Sequence, residues 1–181
     1  MRDIFILEGE WHDDPSEGAN VLEMFRFLKS LKGTDFFYRR TCTPGEVDYY
    51  LSRPELYEKY ELVYLGFHGE PRKLWTSNQE GSVITLDQLS TYQPFFRDKV
   101  LHFGSCQTLN LSDIDLQKAK KLLGVRYLSG YRKDVDWLDS MLLDIVYFNL
   151  WQEYERGGGN IKRYIWNHYH DLAERLGFVM I

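Results

Sequence analysis

Five short apolar runs alternate with helix-length amphipathic stretches along this chain, and that alternation narrows the folds open to it. The runs cover 4–7, 36–40, 62–67, 100–104 and 126–129. The run 4–7 (Ile-Phe-Ile-Leu) is continuously apolar, as a central parallel strand must be, whereas 36–40 is more polar and reads as an edge strand. Between them, Asn20 and Glu23 signal a helix start. Val21, Leu22, Phe25, Leu28 and Leu31 then recur at helical spacing until Gly33. Thr43-Pro44-Gly45-Glu46 and Thr85-Leu86-Asp87-Gln88 are capping boxes, each opening a helix; Pro54 ends or kinks the first of these. Runs at 73–76 and 82–84 around a Gly-containing polar stretch predict a small hairpin off the main sheet. Ser112 and Asp115 begin a helix carrying Leu116, Ala119, Leu122 and Leu123 and closed by Gly124. Asp136 and Asp139 open the longest helix, with Leu138, Met141, Leu142, Ile145 and Phe148 as its apolar stripe and Gly157-Gly158-Gly159 as its break. A helix over 161–176 and a strand over 178–181 complete the chain. The β-α-β-α order predicts one α/β domain over 1–181: a three-layer α-β-α sandwich around a mostly parallel, doubly wound sheet. The triple glycine is too short to be a linker.

Composition excludes several classes. The 181 residues carry a formal net charge of −5, which argues against a nucleic-acid partner. The longest apolar stretches fall far short of the roughly 20 residues that span a bilayer, so no membrane association is expected. The N-terminal stretch turns acidic too early for a signal peptide. Two cysteines, Cys42 and Cys106, form no disulfide framework. A cytoplasmic, reducing location follows, in which thiols remain free. The chain has 13 Tyr, 11 Phe and 5 Trp, which furnish a large aromatic core or a sticky face for a partner.

Chemistry concentrates where two of the strands end. The run 62–67 leads into His68-Gly69, and the run 100–104 leads into Ser105-Cys106. In an open parallel sheet ligands bind outside the carboxyl ends of the strands, and adjacent strands lie about 4.8 Å apart. If these two strands are neighbours, a thiol and an imidazole share one edge and can act as a nucleophile and its base. Gly69, Gly104 and Ser105 are small enough to admit a substrate backbone. The amide N–H groups of Gly69 and Cys106 are candidate oxyanion donors. A helix soon after Cys106 would lower the thiol pKa, but the Ser112 cap stands several residues away, so that effect is small.

The Phe67-His68-Gly69 and Gly104-Ser105-Cys106 pair resembles the caspase-like (clan CD) cysteine peptidase superfamily, which includes caspases, legumains, gingipains, separases and CHAT-domain proteases. The segment 81–89 also resembles the CHAT pattern of a short strand and helix before the cysteine strand. The resemblance implies a caspase-like fold and a Cys-His dyad that cleaves peptide bonds. Cys106 would be the nucleophile and His68 the general acid/base, with no third member and no cofactor. It implies a first specificity pocket built from 129–137, where Asp134-Val135-Asp136 resembles an acid-bearing segment that selects a basic side chain. Glu8, Glu10, Asp13 and Asp14 would add negative charge to the same edge. Asp136 reads equally well as a helix cap, and Arg132 and Lys133 would favour an acidic substrate residue instead. Unlike many of these enzymes, the chain shows no cleavable linker and no recruitment or repeat domain, which leaves activation to a protein partner or to the aromatic surface.

The remaining candidates are plainer. His102 lies inside a strand and reads as a packed histidine, His168 and His170 as structural, Cys42 as inert, and His12 as a further residue near the same edge. No His, Cys, Asp or Glu cluster has zinc spacing, and no glycine-rich phosphate loop follows a strand. The runner-up reading is a catalytically silent domain of the same fold that binds a peptide or partner. A nucleotide-binding domain is disfavoured, because no glycine fingerprint follows the first strand.

Overall fold

The computed structural model describes residues 1–12, 18, 20–154 and 157–181. Chain order runs β1 (Asp3–Glu8), α1 (Leu22–Lys32), β2 (Phe36–Arg40), α2 (Pro44–Leu51), a 3-10 turn (Pro54–Tyr57) and β3 (Tyr60–Gly66). Three short strands follow: β4 (His68–Glu70), β5 (Lys73–Trp75) and β6 (Val83–Thr85). Next come α3 (Leu86–Ser90), α4 (Gln93–Phe96), β7 (Val100–Phe103), α5 (Asp113–Leu123) and β8 (Tyr127–Tyr131). The chain closes with α6 (Trp137–Glu153), α7 (Gly158–His168), α8 (His170–Leu176) and β9 (Phe178–Met180).

The main sheet has the order β2-β1-β3-β7-β8-β9. Its pairs are parallel except β8–β9, which is antiparallel. The chain moves from β1 outward to β2, then returns to β3 on the other side of β1. A crevice is expected at that reversal, at the strand carboxyl ends. Strand alternation sends Phe5 and Leu7 to one face and Ile4 and Ile6 to the other. The first face packs on α2 to α5 through Val47, Leu89, Phe95, Phe96 and Leu116. The second packs on α1 and α6 to α8 through Phe25, Leu28, Tyr147, Phe148, Ile165 and Leu176. The sheet therefore lies between two helical layers, and neither of its faces meets water as a bare surface.

Local signals act largely as their chemistry dictates. Thr43 and Thr85 cap α2 and α3 in full capping boxes. Ser112 caps α5, and Gly33 and Gly124 end their helices in the left-handed conformation. Four expectations change. Val21, not Asn20, stands at the cap of α1; Asn20 Oδ1 accepts only the Leu22 N–H, while the Val21 N–H is taken by the buried Glu8 carboxylate. The expected hairpin is a three-stranded sheet, because His68–Glu70 adds a strand opposite Lys73–Trp75. The last helix breaks at Tyr169 into α7 and α8. Finally, the buried face of α6 is shifted: Phe148 is buried and Met141 and Ile145 pack partly buried on the core as expected, but Leu138 and Leu142 are exposed, whereas Leu143, Asp144, Tyr147 and Trp151 are buried. The aromatic face carries far more apolar area than the leucine stripe, so it wins the core.

That buried face of α6 also closes a polar layer against the sheet. The Asp144 carboxylate accepts hydrogen bonds from Tyr131 (2.5 Å) and Tyr64 (3.2 Å). His102 Nε2 lies 2.9 Å from Asp144 Oδ1 without the alignment of a hydrogen bond. On its other side, His102 Nδ1 meets the Ser129 hydroxyl at 2.9 Å, which donates to Tyr147 at 2.8 Å. His102 is thus a packed histidine, as its place inside a strand suggests.

A candidate thiol–imidazole site at the ends of β3 and β7

The site begins with register. β3 and β7 are parallel neighbours, pairing Leu62 with Val100 through Leu65 with Phe103. His68 and Cys106 each stand three residues beyond the last paired positions, so the two strands carry them to the same height. The backbone ladder ends with the Gly104 N–H donating to the Leu65 carbonyl at 3.0 Å. A buried serine then takes over: Ser105 Oγ accepts from the Phe67 N–H at 3.2 Å and donates to the Leu65 carbonyl at 3.3 Å. Beyond that stitch the chains part, His68 into β4 and Cys106 into the loop toward α5.

Their separation is small at Gly69. A Cβ on Gly69 would lie 2.0 Å from the Cys106 carbonyl oxygen and 2.5 Å from Thr108 Oγ1. Only a residue without a side chain allows β4 to lie against the Cys106 backbone. Gly104 meets the same demand, since a Cβ there would sit 2.0 Å from the Tyr64 hydroxyl.

His68 is oriented by the loop after β1. Its Nε2 lies 3.0 Å from the Trp11 carbonyl oxygen, which can only accept, so Nε2 carries a proton. Nδ1 is then the lone-pair nitrogen of the neutral ring. Trp11 packs edge-to-face on His68 at 5.1 Å and on Trp137 at 4.9 Å. Glu8 anchors this tryptophan: its carboxylate, fully buried, accepts from Trp11 Nε1 at 2.5 Å, the Val21 N–H at 2.8 Å and the Tyr38 hydroxyl at 2.6 Å. Burial pushes Glu8 above its ordinary pKa, and the three hydrogen bonds pull it back in part.

The half-buried Cys106 thiol is held by the loop after β8. Sγ accepts from the Val135 N–H at 3.4 Å and donates to the Val135 carbonyl at 3.9 Å. Burial raises the thiol pKa, the Val135 N–H opposes that rise, and the nearby Asp134 carboxylate adds to it. Gln107, next in the chain, adopts φ +50°, a left-handed conformation uncommon outside glycine. Its N–H donates to the Lys133 carbonyl at 3.0 Å, and its side chain donates to Asp134 at 2.8 Å. The cysteine loop and the β8–α6 loop are therefore tied together at the sulfur and at the residue that follows it.

One cavity of about 140 Å³ gathers these parts. Its walls include Tyr64 from β3, His68 from β4, Gly104 and Cys106 from the loop after β7, Trp11 and Val21 from the β1–α1 segment, Val135 from the β8–α6 loop, and Trp137, Ser140 and Met141 from the start of α6. Asp134 and Asp136, expected in a specificity pocket, are not in this wall. Asp136 caps α6 by accepting the Asp139 N–H at 3.0 Å, and Asp134 turns outward to Gln107. Glu8 is buried beneath Trp11 rather than presented to the cleft. Glu10, half-buried, is near enough to Cys42 to raise that thiol's pKa along with burial. Asp13 and Asp14 lie outside the described residues. His12 is exposed in the loop after Trp11, and His168 and His170 are exposed on α7 and α8.

Sequence reasoning missed Trp11, and it placed Glu8 and Val135 near the site without their roles as buried anchor and thiol partner. An acid ending an apolar run was a signal for Glu8; Trp11 and Val135 act through backbone atoms, which any residue type supplies.

These features define an α/β protein whose cleft, spanning the carboxyl ends of β1, β3 and β7 of a mostly parallel sheet, is walled by a cysteine and a histidine that follow adjacent strands. Over residues 1–181 the chain matches a family model described as "Family of unknown function (DUF6642)", and it belongs to that family. Comparison with curated proteins returns no match.

Proposed function

We propose that this chain is a cysteine endopeptidase with a caspase-like fold. The observation that carries the reading is the equal register of His68 and Cys106 beyond neighbouring parallel strands, with both side chains in the wall of one cavity. In the proposed reaction the Cys106 thiol gives its proton to His68 Nδ1, and the thiolate attacks the carbonyl carbon of a peptide bond. The N–H groups of Gly69 and Cys106 receive the oxyanion. The imidazolium, held through Nε2 by the Trp11 carbonyl, returns its proton to the leaving amine as the C–N bond breaks. Water, deprotonated by His68, then hydrolyses the thioester and restores the thiol. A reducing compartment such as the cytoplasm suits a free nucleophilic cysteine. The partners are a peptide or protein substrate and an activating protein that draws the thiol away from Val135.

A second reading has its own support. The thiol is engaged with the Val135 backbone, and burial holds its pKa up. Both fit a catalytically silent domain that binds a peptide in the same cleft. Labelling of the full chain with a peptidyl acyloxymethyl ketone separates the two. The peptidase reading expects Cys106 to be modified far faster than Cys42, with His68→Ala slowing it by about 10²-fold or more. Equal reaction at the two cysteines, unaffected by His68→Ala, refutes it in favour of the silent domain.

A further inference from the structure

The geometry points to a substrate whose residue at the attacked carbonyl carries an uncharged, apolar side chain no larger than that of leucine or phenylalanine. This rests on the peptidase reading and gives that site its specificity.

Three observations lead there. The cavity that contains Cys106 and His68 has walls of Trp11, Val21, Val135, Trp137 and Met141, with no carboxylate and no Lys or Arg in its lining among the described residues. A guanidinium or carboxylate placed in it would be desolvated without a partner among those residues, which is strongly unfavourable. The size is also restrictive. About 140 Å³ is close to the roughly 150 Å³ apolar cavity that accepts a benzene ring. It therefore fits an isobutyl or benzyl group, not an indole. Finally, the loop that could have supplied charge is turned the other way. In Asp134-Val135-Asp136 the middle residue faces the cavity, while one acid is bonded to Gln107 and the other caps α6. Neither acid can swing inward without abandoning its own hydrogen bond. Because the cavity includes the nucleophile itself, the group it takes is the one on the carbon next to the attacked carbonyl.

The test uses four acyloxymethyl ketone peptides on the full chain, alike except for leucine, phenylalanine, arginine or aspartate beside the reactive group. Cys106 modification is followed by intact mass and peptide mapping. Leucine or phenylalanine should label at least about 10-fold faster than arginine or aspartate, the scale on which apolar pockets discriminate. Met141→Asp, which sets a carboxylate in the wall, should erase or invert that preference toward arginine. Trp137→Ala should admit a fifth peptide, with tryptophan beside the reactive group, that the native chain excludes. Arginine or aspartate labelling fastest in the native chain overturns the apolar pocket while leaving the peptidase reading standing. Failure of all four to modify Cys106 faster than Cys42 removes the peptidase reading, and the pocket's role falls with it.

Discussion

Gly69→Ala tests the geometry of the site most directly. The added methyl would lie 2.0 Å from the Cys106 carbonyl oxygen, 2.5 Å from Thr108 Oγ1 and 3.0 Å from Ser105 Cβ. Relaxed non-bonded contacts sit near 3.5 Å or beyond, so β4 and the cysteine loop must separate by about 1 to 1.5 Å. Gly69 is not among the glycines with positive φ, so the penalty is one of space and not of backbone conformation. The nearest atom is backbone and cannot swing aside. Overpacking of this kind costs about 1–3 kcal/mol; at roughly 2–4 °C per kcal/mol for a domain of this size, Tm should fall by about 2–12 °C. The larger effect is on chemistry. A displacement of about 1 Å between reacting groups can cost about 10²-fold in rate, and here it falls between the strands that carry His68 and Cys106. Differential scanning calorimetry and the rate of Cys106 labelling measure the two effects. Gly45→Ala is the control, because a Cβ on Gly45 meets nothing within 4 Å, so its labelling rate should match the native chain. A Gly69→Ala protein with native Tm and native labelling rate would refute the close approach from which the site is built.

Two further outcomes follow from the charges around the cleft. Burial raises the Glu8 pKa above its ordinary 4.5, so its contribution to stability is fully present below that value and is lost as pH rises through the higher folded-state pKa. Glu8→Gln keeps an acceptor for Trp11 and Val21 and lets the Tyr38 hydroxyl turn to accept; it should flatten the decline in urea-unfolding stability above about pH 4.5, and an unchanged pH profile would contradict the assignment. Asp134 contributes to the raised Cys106 pKa. Asp134→Asn should therefore move the midpoint of the iodoacetamide pH–rate profile downward, more at low salt than at high; a midpoint that stays put would show that the carboxylate is too well screened to act on the thiol.

Much of the scaffold is legible in the sequence. The uninterrupted apolar runs at 4–7 and 62–67 could be stable only with both faces covered, and both became central strands. Capping boxes at Thr43 and Thr85 were legible because they are local: all their partners lie within four residues. The longest helix was placed correctly, but its buried face was read only in part: Phe148 is buried, while Leu138 and Leu142 are exposed. Its sequence is apolar nearly all round, and periodicity cannot choose between two apolar faces; the choice fell to Tyr147, Phe148 and Trp151 together with the Asp144 carboxylate, whose partners Tyr64 and Tyr131 lie 80 and 13 residues away. Asp136 carried two readings in the sequence, and the start of α6 resolved it as a cap.

Residue order alone determined that His68 and Cys106 would each emerge at the carboxyl end of a buried strand, because strand polarity and the apolar patterning fix which end is which. Only the folded molecule decided that those strands are neighbours in equal register, that Trp11 and Val135 grip the imidazole and the sulfur through backbone atoms, and that the described residues lining the cleft between them are apolar instead of acidic. The reason is distance along the chain: strand pairing, backbone-mediated contacts and the direction of a side chain in a loop depend on segments tens of residues apart, and no local pattern encodes them.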